Sequence, residues 1–116
     1  MSSSSWFGDG EINGMDRLAM LNEILGQNPN DAFARYGLAM EYSKTGDAES
    51  ALAEFATLLS IHPDYTAGYF MAAQTLVAAN RREEARKMLV EGISSAVRTG
   101  NSHAQSEMTA LLDELK

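Results

Sequence analysis

Residues 29–62 read PNDAFARYGLAMEYSKTGDAESALAEFATLLSIH, and residues 63–96 read PDYTAGYFMAAQTLVAANRREEARKMLVEGISSA. The two stretches align at a spacing of 34, and residues of several chemical types keep that register. The matched pairs include Pro29 and Pro63, Tyr36 and Phe70, Ala39 and Ala73, Gly46 and Asn80, Ala51 and Ala85, and Phe55 and Leu89. A fixed period of this length predicts a solenoid of stacked helix pairs. Solenoids usually present surfaces to other molecules, so the pattern favours binding over catalysis.

Apolar periodicity and helix-stop signals predict about six helices, and no segment alternates with the period of a strand. The predicted helices span about 16–27, 31–44, 48–60, 64–79, 81–98 and 102–115. Gly46 and Asn80 are expected to supply the left-handed turns within each pair. The sequence therefore predicts an all-α fold.

Polar residues next to the expected helix starts predict the N-caps. Asn30 or Asp31 precedes the second helix, Asp47 the third and Asp64 the fourth. Ser102, followed by Gln105 three residues later, predicts a capping box for the sixth helix.

The first fourteen residues, MSSSSWFGDGEING, differ in composition from the rest of the chain. Four serines and three glycines predict a flexible leader over 1–14, either a tag-like extension or a docking arm that uses Trp6 and Phe7. Residues 15–116 are expected to form a single domain.

The repeat resembles the tetratricopeptide repeat (TPR) family, with full units at about 32–64 and 66–99. The resemblance rests on residue type and spacing at Leu38, Ala39, Tyr42, Ala51, Phe55 and Pro63, and at Tyr69, Ala72, Ala73, Leu76, Ala85 and Leu89. It implies a right-handed α-solenoid of antiparallel helix pairs. Helix 16–27 then resembles the second half of a repeat, and helix 102–115 resembles an end cap or the first half of a further repeat.

Three positions depart from the family pattern. Arg35 stands where the family favours a large apolar residue, and Leu58 and Gly92 each replace a usual alanine. These departures leave the packing between repeats open at this point.

Members of the family bind partners in a concave groove lined by the first helix of each pair. Carried over by helical position, the resemblance implies a groove lined by Phe33, Tyr36, Met40, Lys44, Phe70, Gln74 and Val77. Aromatic residues and Met are enriched in the cores of interfaces. Some of these side chains are equally expected to pack between neighbouring first helices, Met40 and Val77 above all.

One TPR subset grips the carboxylate tail of chaperones with Lys, Arg and Asn along this groove. The corresponding positions carry Tyr36, Gly37, Met40, Phe70, Met71 and Gln74. Because the basic clamp is absent, we expect no tail-binding activity of that kind.

Composition excludes several other classes of function. A net charge of −7 argues against a nucleic-acid ligand, because phosphate binding needs clustered Lys and Arg. Cysteine is absent, and no apolar run approaches the ~20 residues that span a bilayer. The start of the chain lacks a secretory pattern, so a cytoplasmic protein without membrane contact is expected.

No catalytic or metal-binding pattern is present in the sequence. His62 and His103 lie 41 residues apart without convergent carboxylates, and no phosphate-binding glycine loop occurs. The basic run Arg81, Arg82, Arg86 and Lys87 lies beside Glu83 and Glu84, which favours a solvated helix face with local ion pairs over an acidic-partner site. We therefore expect no enzyme activity, no cofactor and no metal.

Two functional hypotheses follow. The first is an adaptor that binds a peptide or helix of another protein in the apolar groove. The second is a self-assembling structural protein whose terminal helices stack head to tail into a ring or filament. The residues expected to support self-association are Trp6, Phe7, Leu18, Leu21, Met108 and Leu112.

Overall fold

The computed structural model describes residues 14–116, and over that range the chain forms six α-helices and no β-strand. The helices are α1 Gly14–Gln27, α2 Ala32–Lys44, α3 Ala48–Ile61, α4 Thr66–Ala78, α5 Arg82–Thr99 and α6 Ser102–Leu115. The all-α prediction is confirmed, and each helix begins and ends within two residues of its expected position. The predicted leader lies outside the described residues, apart from Gly14, which begins α1.

Side-chain caps and left-handed turns fix the helix ends. The carboxylate of Asp31 accepts a hydrogen bond from the Ala34 amide at 2.8 Å, and that of Asp47 accepts one from the Ser50 amide at 3.1 Å. Each satisfies an amide that a helix start leaves without an intrahelical partner. Gly46 and Asn80 adopt φ values of +87° and +63°. In the second repeat Asn80 thus adopts the left-handed conformation that Gly46 adopts in the first.

Two of the predicted caps are wrong. The Asp64 side chain accepts hydrogen bonds from Nε and Nη2 of Arg98, at 3.1 and 2.7 Å, and the N-cap position of α4 falls on Tyr65 without a side-chain cap. At α6 the cap is Asn101, whose side chain accepts from the Ala104 amide at 3.1 Å. Ser102 is the first residue of α6 itself, because the helix begins one residue earlier than a Ser102 cap requires.

Consecutive helices pack against each other to form stacked pairs. We call α2, α4 and α6 the first helices and α1, α3 and α5 the second helices. The first helices also contact one another in order, α2 with α4 and α4 with α6, whereas the second helices make no corresponding backbone approach. The stack therefore curves with the first helices on its concave side.

Three apolar clusters follow one another along the stack. Leu21 and Leu25 of α1 pack with Ala34 and Leu38 of α2. The middle cluster contains Ala39, Ala51, Phe55, Leu58 and Ala72. The last contains Tyr69, Ala73, Leu76, Ala85, Leu89, Ala96, Met108 and Leu115.

Two departures from the family pattern are compensated across the repeat contact. Leu58 is fully buried, and its side chain fills the space beside Gly68, where a Cβ would lie 3.0 Å from Leu58 Cδ2. At Gly92 a Cβ would lie 2.5 Å from Met108 Sδ and 2.6 Å from Tyr69 Cβ. A large residue is thus matched with a glycine at both contacts, which restores the close packing of a protein interior.

Candidate protein-interaction site

The predicted groove residues come from one face of α2 and one face of α4. Residues 33, 36, 40 and 44 follow the three- to four-residue spacing that places side chains on one helix face, and residues 70, 74 and 77 do the same on α4. The hydroxyls of Ser43 and Thr75 lie 2.9 Å apart and join the two helices. The seven predicted groove residues therefore lie on one face of α2 and one face of α4, and we call this set the concave strip.

The seven side chains of the concave strip differ in exposure. Phe33 is 76% exposed, and Lys44 and Gln74 are also exposed. Tyr36, Met40, Phe70 and Val77 are half-buried, since they pack against the middle and last core clusters. The strip thus has a half-buried apolar floor and one protruding aromatic side chain.

Tyr36 packs in an aromatic group at the Phe33 end of the strip. Its ring centroid lies 5.3 Å from that of Tyr65 and 6.4 Å from that of Phe55. Burial raises the pKa of Tyr36, and neighbouring Tyr65 adds to the effect. Burial likewise raises the pKa of Tyr65, with a further contribution from Asp31. Both phenols therefore stay neutral well beyond physiological pH.

Glu41 is a buried carboxylate that the sequence pattern did not reveal. Its side chain is 6% exposed, and Oε2 lies 3.4 Å from Arg17 Nε and 3.9 Å from Lys44 Nζ. Its other oxygen, Oε1, is buried without a hydrogen-bond partner. The sequence carries no signal for this burial, because the equivalent residue 34 positions on, Thr75, is also polar and its burial is visible only in the structure.

The basic run at the start of α5 pairs in part with neighbouring acids. Arg81 donates to both oxygens of Glu84 at 2.6 and 2.9 Å and to Glu49 of α3 at 3.0 Å. The hydrogen bond from Arg81 lowers the pKa of Glu84. Arg86 donates to Glu83 and to the Leu115 carbonyl oxygen. The pairs with Glu84 and Glu83 are the local ones expected of a solvated helix face, whereas the contacts with Glu49 and Leu115 reach α3 and the end of α6.

The residues predicted for self-association are divided between core and surface. Leu21 and Met108 lie in the chain's own core, at 7% and 0% exposure, because their helices pack against α2 and α5. Leu18 and Leu112 are half-buried. Trp6 and Phe7 lie outside the described residues. On the outer face of α1, Met20 and Ile24 are 43% and 38% exposed, and neither is among the residues predicted for self-association.

The remaining sequence candidates do not converge on a reactive centre. A ring nitrogen of His62 lies 2.7 Å from the Asn30 carbonyl oxygen, whereas His103 lies beside Glu107 on α6. Residues 14–116 contain no group of three or more His, Asp or Glu side chains that could hold a metal ion. No helix in this range is both long and apolar enough to cross a membrane.

Stacked antiparallel helix pairs with a 34-residue register and a concave row of first helices define a helical-repeat protein. The family model of the tetratricopeptide repeat matches residues 42–106. The chain is 30% identical over 95 residues to the TPR repeat-containing protein PA0015 of Pseudomonas aeruginosa, a match that covers 82% of this chain and 90% of that protein. The chain belongs to the tetratricopeptide repeat family.

Solved structures agree with this assignment. A tetratricopeptide repeat domain protein from Salinibacter ruber superposes with a TM-score of 0.72 and 30% identity, over 77% of this chain and 90% of that one. The TPR2B domain of yeast Sti1, in its complex with pHsp70, superposes with a TM-score of 0.82 over 97% of this chain and 88% of that one. At 16% identity the second match shows the fold alone. Membership of this family makes the chain a protein-interaction module.

Proposed function

We propose that the concave strip binds an apolar peptide or helix of another protein, with Phe33 as the anchor of the contact. The observation that carries the proposal is the 76% exposure of Phe33 on the row of first helices. Burying such a side chain on binding contributes about 1.5–3 kcal/mol. That range corresponds to about 10-fold to 100-fold in affinity.

The charge of the concave strip supports a mainly apolar partner. Lys44 is the one charged residue among the seven, and it lies at the opposite end of α2 from Phe33. Eleven residues of helix separate the two positions, which is about 16 Å. A matching segment therefore carries a bulky apolar residue at one end and an acidic residue or carboxylate at the other. An extended segment spans that distance in about five residues.

The proposal can be tested with the partner still unidentified. Peptides are selected against the full-length chain from a random display library, and their affinities are measured by fluorescence anisotropy. Phe33→Ala should weaken the selected peptides by at least about 10-fold. Val97→Ala is the matched control, because Val97 is 59% exposed but lies on the second helix α5. Equal losses in both variants, or no loss at Phe33, would exclude the strip as the binding surface.

Self-assembly is the second candidate, and the exposure of Met20 and Ile24 on α1 favours it. The exposed residues of α6 offer no matching apolar surface, since Ala110 is the one apolar residue among them. For that reason we rank head-to-tail stacking below peptide binding. Light scattering coupled to size exclusion separates the two: a constant mass near 12.6 kDa excludes stacking, and a mass that climbs with concentration supports it.

A further inference from the structure

The outer face of α1 occupies positions that a first helix covers in both complete repeats. Ile24 is 38% exposed, whereas its equivalents at spacings of 34 and 68, Leu58 and Gly92, are buried. Met20 is 43% exposed, and its equivalent Glu54 accepts a hydrogen bond from Arg35 on the first helix of its own pair. α2 packs against α1 as α4 packs against α3, but residues 14–116 contain no first helix that precedes α1 as α2 precedes α3.

Glu41 supplies a second and independent observation at the same place. Its equivalent, Thr75, bonds to Ser43 of the preceding first helix at 2.9 Å. By this register Glu41 faces the position of a first helix that would precede α1. Its Oε1 is buried and has no hydrogen-bond partner. An unsatisfied buried oxygen of this kind is unfavourable and calls for a donor.

We infer that residues 1–13 of this chain dock on α1 and α2, where they cover Met20 and Ile24 and provide a hydrogen-bond donor close to Glu41. This inference does not require peptide binding by the concave strip, although the two sites share Lys44, and it competes with head-to-tail stacking for Met20 and Ile24.

Length and composition fit residues 1–13 to this site. In an extended conformation those residues reach about 43 Å, against about 21 Å for the length of α1. Trp6 and Phe7 supply apolar surface, and four serines supply hydroxyl donors.

Charge also matches across the proposed contact. Arg17 Nε and Lys44 Nζ lie 3.4 and 3.9 Å from Glu41 Oε2. Residues 1–13 contain Asp9 and Glu11 and no Lys or Arg. Docking therefore brings acidic side chains towards two cations, while the aromatic pair is available for Met20 and Ile24.

The full-length chain contains one Trp and no Cys, which makes the inference directly measurable. Trp6 fluorescence reports on this segment alone, and a nitroxide can be attached to a single introduced cysteine. The test label is placed at Glu23→Cys, an exposed position on α1, and the control label at Val97→Cys on α5. Docking predicts quenching of Trp6 by the first label and not by the second, and protection of Trp6 from acrylamide.

Substitution of the apolar face tests the contact itself. Met20→Glu with Ile24→Glu should abolish the acrylamide protection, raising the quenching constant to that of the urea-unfolded chain, with helicity by circular dichroism unchanged. Val90→Glu with Val97→Glu, at exposed positions on α5, should leave the protection intact. If the Met20 and Ile24 variant lost helicity, the two nitroxide labels would still decide the question, because they leave both residues in place.

Three results would overturn the inference. Acrylamide quenching of the native chain equal to that of the unfolded chain means that Trp6 is in solvent. Equal quenching from both nitroxide positions means that the segment docks elsewhere. Quenching that disappears on dilution, with a mass above 12.6 kDa before dilution, means that a second copy provides the segment.

Discussion

Arg35 and Tyr69 lie 34 residues apart, and each donates a hydrogen bond to the carbonyl oxygen of the proline that precedes its own helix. Arg35 Nη2 lies 2.9 Å from the Pro29 oxygen, and the Tyr69 hydroxyl lies 2.8 Å from the Pro63 oxygen. The two side chains differ in chemistry but satisfy the same backbone acceptor. Arg35 therefore preserves a structural contact of the repeat even though it departs from the family's apolar preference.

Arg35 also forms an ion pair with Glu54 at 2.7 Å, with both side chains less than a quarter exposed. We predict that Arg35→Leu destabilises the chain by about 1–3 kcal/mol, because it leaves a largely buried carboxylate and a carbonyl oxygen without their donor. The double variant Arg35→Leu/Glu54→Leu should recover most of that loss, since an apolar pair removes the unpaired charge. Urea unfolding followed by circular dichroism measures both. A double variant less stable than the single one would show that Glu54 is satisfied without Arg35.

The absence of a side chain at Gly92 leaves the space into which Met108 of α6 packs. We predict that Gly92→Ala destabilises the chain by about 1–3 kcal/mol, because its Cβ would overlap Met108 Sδ and Tyr69 Cβ. The loss should exceed the gain in helix propensity of up to about 1 kcal/mol. Urea unfolding provides the measurement.

Gly26→Ala is the matched control for that substitution. Gly26 lies within α1, and nothing lies within 4 Å of the Cβ that the substitution adds. Here the higher helix propensity of Ala should stabilise the chain by up to about 1 kcal/mol. If both glycine variants became more stable, the contact between Gly92 and Met108 would not be close-packed.

Most of the fold could be predicted from local sequence signals. The 34-residue register located the helix pairs, and Asp31, Asp47, Gly46 and Asn80 act at their ends as their residue types predict. Local signals failed at Asp64 because a side chain from the next second helix, Arg98, competes for its carboxylate. A rule for N-caps considers only residues near the helix start, so it does not include Arg98, which packing brings to Asp64 from 34 residues away.

Helical spacing placed the residues of the concave strip on one face of each first helix, but their individual exposure was not predictable. Phe33 and Tyr36 are both aromatic residues on one face of α2, yet Phe33 is exposed while Tyr36 packs against Tyr65 and Phe55. That difference arises from the loop before α4, which brings Tyr65 over the Tyr36 ring. Glu41 was missed for a related reason, since burial of a charged residue is visible in packing and not in composition.

Substituting Asp47 and Asp64 distinguishes a helix cap from an ion pair with another helix. Asp47→Ala should destabilise the chain by about 1 kcal/mol, because it removes the acceptor for the Ser50 amide at the start of α3. Asp64→Ala should cost less, because it removes an exposed ion pair with Arg98 and no cap. The same urea titration measures both variants. A larger loss at Asp64 would indicate that it caps α4 in solution, as the sequence alone predicts.

Tyrosine burial predicts a loss of stability at high pH. The pKa values of Tyr36 and Tyr65 are raised above the ordinary value of 10.0, mainly by burial. Above that value the unfolded chain releases the phenolic protons first and so binds fewer protons than the folded chain. The free energy of unfolding therefore falls as pH rises through and beyond 10.0, and tyrosine ionisation has no such effect at neutral pH. Tyr36→Phe/Tyr65→Phe keeps both rings and removes both ionisable groups, so the double variant should lose less stability above this pH than the wild type. Urea unfolding on either side of pH 10.0 makes the comparison, and identical pH dependence in the two proteins would assign the alkaline loss to other groups.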